Sequence, residues 1–366
     1  MKSSRYGTGM GLALVTVGVL GSLLAGCTVV GPAAISSGRL AYNEAITATN
    51  NQQMLMMTIH NRYEERGSLL AVASVTANVR VTTSSSVQLG FGDDLNYLGN
   101  LVPFGAAAVY EENPTISYMP VEGERYAHQL MAPVPLDAFA RLARTLNNPG
   151  SVYKALVSSV NGIQNPDFLS SSAEPDPHFS RFVALITGLH RAKRLHLVEN
   201  PQQPGSFLVV IDHYAPTHTA EVSELLSLLG LPQAEPHSQR LILPIYLALD
   251  GRDSGGIGFA THSVWDLVEI LSAAIEVPED DIRNGVTTSY PPLGQAGKEL
   301  RVRHSKTRPE HAYVAVQYRD GWFYIDERDH ATKRFFRLLS SLWSVTIAES
   351  TAKAAVAPVL TVPVSR

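Results

Sequence analysis

One thiol, a histidine-containing loop and two runs of charge are the groups in this sequence with chemical potential. Cys27 is the only cysteine of 366 residues, so an intrachain disulfide, cysteine-ligated zinc and iron–sulfur clusters are excluded. Asp212-His213-Tyr214-Ala215-Pro216-Thr217-His218 puts a carboxylate and two imidazoles at the end of an expected strand. Such a set suits metal ligation or proton transfer. It lacks His-Glu-x-x-His or a comparable spacing, and solvated loop histidines are the plainer reading. Asp326-Glu327-Arg328-Asp329 precedes an expected helix, where carboxylates favour the positive end of the dipole. Arg301, Arg303, His304, Lys306 and Arg308 form a basic run suited to anionic head groups, to a partner, or simply to solvent. Spacing assembles no nucleophile, base and orienting group, so no catalytic residue, metal or cofactor is assigned.

Two glycine-containing segments resemble known loops. Asp253-Ser254-Gly255-Gly256 is similar to the stretch around the nucleophile of trypsin-like serine proteases, which needs a histidine to take the serine proton. His213 and His218 lie upstream and His262 downstream, without that family's histidine context. Ordinary turn chemistry accounts for the same Asp, Ser and Gly. Gly256-Ile257-Gly258-Phe259-Ala260-Thr261 resembles a dinucleotide loop, but has neither the third glycine nor a placed acidic residue. A flexible turn is expected there.

The N-terminus carries the strongest signal. Lys2 and Arg5 precede an uncharged apolar run from Met10 to Leu24, the order of a secretory signal peptide. As a helix, Met10–Gly26 would reach about 26 Å, short of the roughly 30 Å hydrocarbon core of a bilayer. The closing Leu24-Ala25-Gly26-Cys27 resembles the lipobox of bacterial lipoproteins. The resemblance implies that residues 1–26 are removed, that the Cys27 thiol receives a diacylglyceryl group, and that the new amine is acylated. Three acyl chains, at about 0.8 kcal/mol per buried methylene, exceed what stable anchoring needs. By resemblance to the enteric lipoprotein sorting rule, in which an aspartate after the lipidated cysteine retains the chain in the inner membrane, Thr28 implies the outer membrane, with the body facing the periplasm. Loss of Lys2 and Arg5 takes the formal charge from −4 to −6, which argues against nucleic acid as a partner.

These groups need a scaffold, and 45 % apolar residues suffice for a sizeable core. Residues 27–37 read as a tether, 38–164 as an N-terminal α+β region and 178–366 as a C-terminal one, with the Pro- and Ser-containing stretch 165–177 between them. Helices are expected over 43–66, 122–131, 136–146, 152–163, 178–194, 221–229, 263–275 and 331–345, and the Ser263…Asp266 spacing at the start of 263–275 approximates a capping box. The alternation over 69–83 predicts one strand. Further strands are expected over 114–120, 195–199, 207–212, 241–249 and 359–362. Met54–Met57 reads as core packing. Tyr313–Tyr318 and Trp322–Ile325, joined through Arg319-Asp320-Gly321, predict a hairpin in which the glycine takes the positive φ. Without a regular βαβ repeat the fold class is α+β, mixed helices and short strands with a C-terminal β-hairpin followed by a helix.

Tyr42-Asn43-Glu44-Ala45, Pro114-Thr115-Ile116-Ser117-Tyr118 and the hairpin residues 312–329 resemble a group of uncharacterised Gram-negative lipoproteins. That likeness implies location and brings no activity. The expected function is therefore a lipid-anchored envelope protein with a periplasm-facing body, acting as an interaction or structural component with an envelope protein partner. The alternative is a periplasmic hydrolase acting on cell-envelope material.

Overall fold

Two compact units make up the chain, one of residues 1–50, 70–119 and 357–366, the other of 51–69 and 120–356. The computed structural model describes residues 27–67, 70–76, 79–86, 105–112, 115–120, 124–145, 149–165, 177–235, 238–248, 255–289, 299–352 and 360–363. The expected signal peptide, Asp253, Ser254 and most of the 165–177 stretch lie outside the described residues. Among the described residues no helix is long and apolar enough to cross a membrane.

Helix α1 spans Cys27–Arg62. It covers the expected tether and begins well before the expected start at Asn43. Ala33, Ala34, Leu40 and Ala41 are good helix formers, and they outweigh the small-residue composition that suggested a loop. In the first unit, β1 (Leu70–Thr76), β4 (Thr115–Pro120) and β14 (Leu360–Pro363) form a three-stranded sheet in that order. β14 runs antiparallel to β4 with Leu360 opposite Tyr118. β2 (Val79–Ser86) and β3 (Gly105–Glu112) form a separate antiparallel pair. The alternating run over 69–83 is thus two strands, because its halves pair with different partners.

The second unit is built on a six-stranded sheet of order β6-β5-β10-β9-β8-β7. Its strands are β5 (Val157–Val160), β6 (Ile163–Gln164), β7 (Leu195–Glu199), β8 (Phe207–Asp212), β9 (Arg240–Leu247) and β10 (Ile257–Thr261). Neighbours are antiparallel except β9 and β10, which run parallel. The sheet takes β5 and β6 from before the 165–177 stretch and the rest from after it. The helix expected over 152–163 stops at Leu156. Val157 and Val160, both buried, then pair with Thr261 and Phe259, and their β-branched side chains suit that pleat. The segment expected as a glycine turn, 256–261, is mostly strand β10.

Helices α2 (Glu124–Met131), α3 (Leu136–Thr145), α4 (Pro149–Leu156), α5 (Pro177–Arg191) and α6 (Thr219–Leu228) accompany the sheet. Phe139, Tyr153 and Phe182 meet Phe259 with ring centroids 5.3, 6.0 and 6.2 Å away. Burial on this scale is worth about 1.5–3 kcal/mol per large apolar side chain. Helix α7 (Val264–Ala273) begins with the expected capping box: the Ser263 hydroxyl accepts from Asp266 N–H while the Asp266 side chain accepts from Ser263 N–H. Those contacts, with one from His262, outweigh burial and hold the Asp266 carboxyl below its usual range. Met54, Leu55 and Met57 of α1 are buried, as the core reading of that cluster requires.

After α8 (Glu279–Arg283), strands β11 (Arg303–Ser305), β12 (Ala312–Tyr318) and β13 (Gly321–Asp326) form a sheet of order β11-β13-β12. Helix α9 (His330–Ala352) follows, so the mixed α+β class with a C-terminal hairpin and helix holds. The hairpin differs in one detail. Its positive φ falls on Arg319, at 51°, while Gly321 pairs with Tyr318 inside the ladder.

Candidate functional site

Among the described residues of the second unit, several ionisable side chains meet where the end of α1 touches α8 and the hairpin. Tyr63 O–H donates to Asp281 Oδ2 at 2.6 Å. Its ring lies 5.0 Å from Tyr318 and 6.2 Å from Phe323. The Arg319 guanidinium stands over both tyrosine rings, 5.2 Å from Tyr63 and 5.4 Å from Tyr318. One arm of it donates to Glu65 Oε1 at 3.1 Å and another to the Tyr318 hydroxyl at 3.1 Å. Positive φ at Arg319 aims that side chain back over the hairpin end, and the stacked cation–π contacts hold it there.

The electrostatics follow from this packing. Burial, then the bond to Asp281, pushes the Tyr63 phenol far above its usual range. Burial also raises Tyr318, despite the bond from Arg319. The Tyr318 hydroxyl and the Arg319 guanidinium together hold the Glu65 carboxyl below its ordinary value. Both phenols therefore stay protonated at neutral pH and Glu65 stays charged. The arrangement ties the hairpin end to the end of α1.

His304 of β11 completes the cluster. Its ring packs 4.9 Å from Phe323 and 5.6 Å separates the related pair His60 and Tyr318. A Cβ on Gly321 would collide with His304 Nε2 and force that ring to move, so the glycine there gives the imidazole space rather than a positive φ. Burial holds the His304 imidazole below its usual pKa, against the opposing pull of Asp281 and Glu276 and with help from Lys306. As pH falls through about 6.5 the unfolded chain takes up this proton before the folded one does. Stability should therefore decline from pH 7.5 toward pH 5, with the loss ending below the folded-state value. Urea unfolding midpoints across that range check this, and His304→Gln should flatten the slope.

The groups singled out by sequence go to separate places. Asp212 sits between His196 Nε2 at 3.7 Å and Arg240 at 3.8 Å. His213 is exposed with φ 48°, and its N–H donates to Gln239 O at 2.7 Å. His218 instead faces Glu221 at 3.6 Å. Among the described residues no three histidine, aspartate or glutamate side chains converge as a metal site. Asp329 caps α9, accepting from Thr332 N–H at 3.0 Å and from the Thr332 hydroxyl at 2.6 Å, the helix-start role expected for 326–329. Cys27 is the first residue of α1.

Sequence reasoning missed Tyr63, Glu65 and Asp281. More than two hundred residues separate Tyr63 from Asp281, and spacing carries no signal over that distance. Only the adjacency of Tyr318 and Arg319 at a hairpin end marked the place. Comparison of the whole chain with protein families, with curated proteins and with solved structures gives no match.

Proposed function

We propose that this chain is a lipid-anchored envelope protein, held at the outer membrane through Cys27, whose periplasm-facing body works by contacting an envelope protein. The anchor rests on Leu24-Ala25-Gly26-Cys27 and the basic and apolar stretches before it. The observation carrying the contact role is the outward face of the six-stranded sheet. Along β9, Leu243 and Ile245 are buried, whereas Ile242 and Tyr246 are 54 % and 40 % exposed. Val210 and Leu208 stand beside Ile242 and Pro244 on β8, and Val198 stands beside Leu208 on β7; all are half-buried. Strand alternation puts these residues on one surface, and a contiguous apolar surface of this kind is characteristic of contact sites. A body tethered to a membrane meets its neighbours at high effective concentration, so modest contacts suffice.

Two measurements test the two halves. Cys27→Ala should abolish palmitate labelling, leave the precursor uncleaved and release the chain from outer-membrane fractions. Labelling equal to the parent would overturn the anchor. A photocrosslinking residue in place of Ile242, activated in intact envelopes, should trap one protein, and Tyr246→Glu should abolish the adduct. An adduct absent from the start, or indifferent to Tyr246→Glu, overturns the contact role.

A further inference from the structure

The outer face of the β11-β13-β12 sheet combines aromatic rings with basic side chains. Register places Arg303 opposite Tyr324 and Ser305 opposite Trp322, with Ala315 and Gln317 beside the same two rings on β12. The inner positions Phe323 and Ile325 are buried, and Trp322 and Tyr324 are half-buried on the opposite side. Their small and polar neighbours leave the two rings as the relief of the face. The Arg308 guanidinium lies 5.4 Å from the Trp322 ring centroid, and Lys306 and Arg308 are exposed. Residues 301–308 hold Arg301, Arg303, Lys306 and Arg308 and no carboxylate, in a chain whose formal net charge is −4. Of the cations, Arg303 stands 3.9 Å from Asp326, whereas the Arg308 guanidinium lies against the Trp322 ring.

We infer that this face docks on a membrane surface bearing anionic lipid head groups. The inference rests on the envelope location proposed above. Tryptophan and tyrosine settle at bilayer interfaces because one end of each ring is apolar and the other polar. Lysine and arginine gain about 1 kcal/mol each near an anionic surface, an attraction that salt screens. The basic strand-and-loop segment supplies the charge, the two rings of β13 enter the head-group layer, and the sheet lies flat on the membrane. The Cys27 anchor then holds the chain on the bilayer while this face sets how the second unit meets it.

The test uses the full mature chain with whatever lipid it carries. It is mixed with vesicles of phosphatidylcholine, or of phosphatidylcholine with phosphatidylglycerol, both with brominated acyl chains that quench tryptophan at the bilayer. Flotation reads the anchor and quenching reads the face. The expected result is flotation with both vesicles and quenching with the anionic ones alone. Quenching should vanish in high salt and in Trp322→Phe, which separates Trp322 from Trp265 and Trp343. The exposed double change Lys306→Glu and Arg308→Glu should raise the phosphatidylglycerol content needed for half-maximal quenching severalfold. Flotation with both vesicles but equal emission on each overturns the docking face and leaves the anchor standing. Failure to float on phosphatidylcholine overturns the anchor, and salt-sensitive quenching on the anionic vesicles then still supports the face. Capture by an acidic polysaccharide with no response to either vesicle also overturns the membrane assignment.

Discussion

Phe259→Ala is expected to destabilise the second unit by about 3–5 kcal/mol, the range for truncating a fully buried phenylalanine. Phe259 is 1 % exposed and sits in β10, between β5 and β9. Its ring touches Phe139 of α3, Tyr153 of α4 and Phe182 of α5, so one side chain joins three helices to the sheet. Removing it leaves a cavity that those rings cannot fill together, since Phe139 and Tyr153 already meet edge to face at 5.2 Å. Typical domains have only about 5–15 kcal/mol in all, so the variant should approach the unfolding threshold. Phe259→Leu keeps most of the volume and should cost less than half as much. Urea midpoints for the three proteins check the order, and a Phe259→Ala midpoint matching the parent would remove Phe259 from the core described here.

The parts of this fold legible in sequence are those fixed by local chemistry. Ser263 and Asp266 announced a capping box because both partners lie within one turn. The hairpin at 312–326 was legible because β-branched and aromatic residues flank a turn dipeptide. The 157–160 segment was not. Val-Ser-Ser-Val continues a helical-looking run, and its partner in the ladder is a strand about one hundred residues later. Long-range pairing decides such a segment, and local propensity yields to it. The same holds for the Tyr63–Asp281–Arg319 cluster, whose members share no spacing. Gly321 illustrates the point at one residue: the turn signal was right, but the glycine serves His304 rather than the turn.

Gly256→Ala is the second large effect expected, and it bears on what the Gly256-Ile257-Gly258 segment is for. A Cβ at Gly256 would lie 2.8 Å from both Pro244 Cγ and Tyr246 Cε2, and closer still to the Pro244 carbonyl oxygen. β9 and β10 pair in parallel from Ile245 opposite Ile257 onward, so the crowded residue stands just where the two strands converge. The backbone beside it is also committed. Asn161 Nδ2 donates to Gly256 O at 3.2 Å, and Gly258 N–H donates to Asn161 Oδ1 at 2.7 Å. A loop that cradles phosphate needs such N–H groups pointing outward, and here one is spent on a side-chain amide inside the protein. The glycine therefore serves strand approach. Overpacking of this kind costs about 1–3 kcal/mol, and the cost should persist in Gly256→Ala with Tyr246→Ala, because the nearest atom is a main-chain oxygen that no side-chain truncation removes. Full recovery of the urea midpoint in that double variant would place the conflict on the tyrosine ring instead.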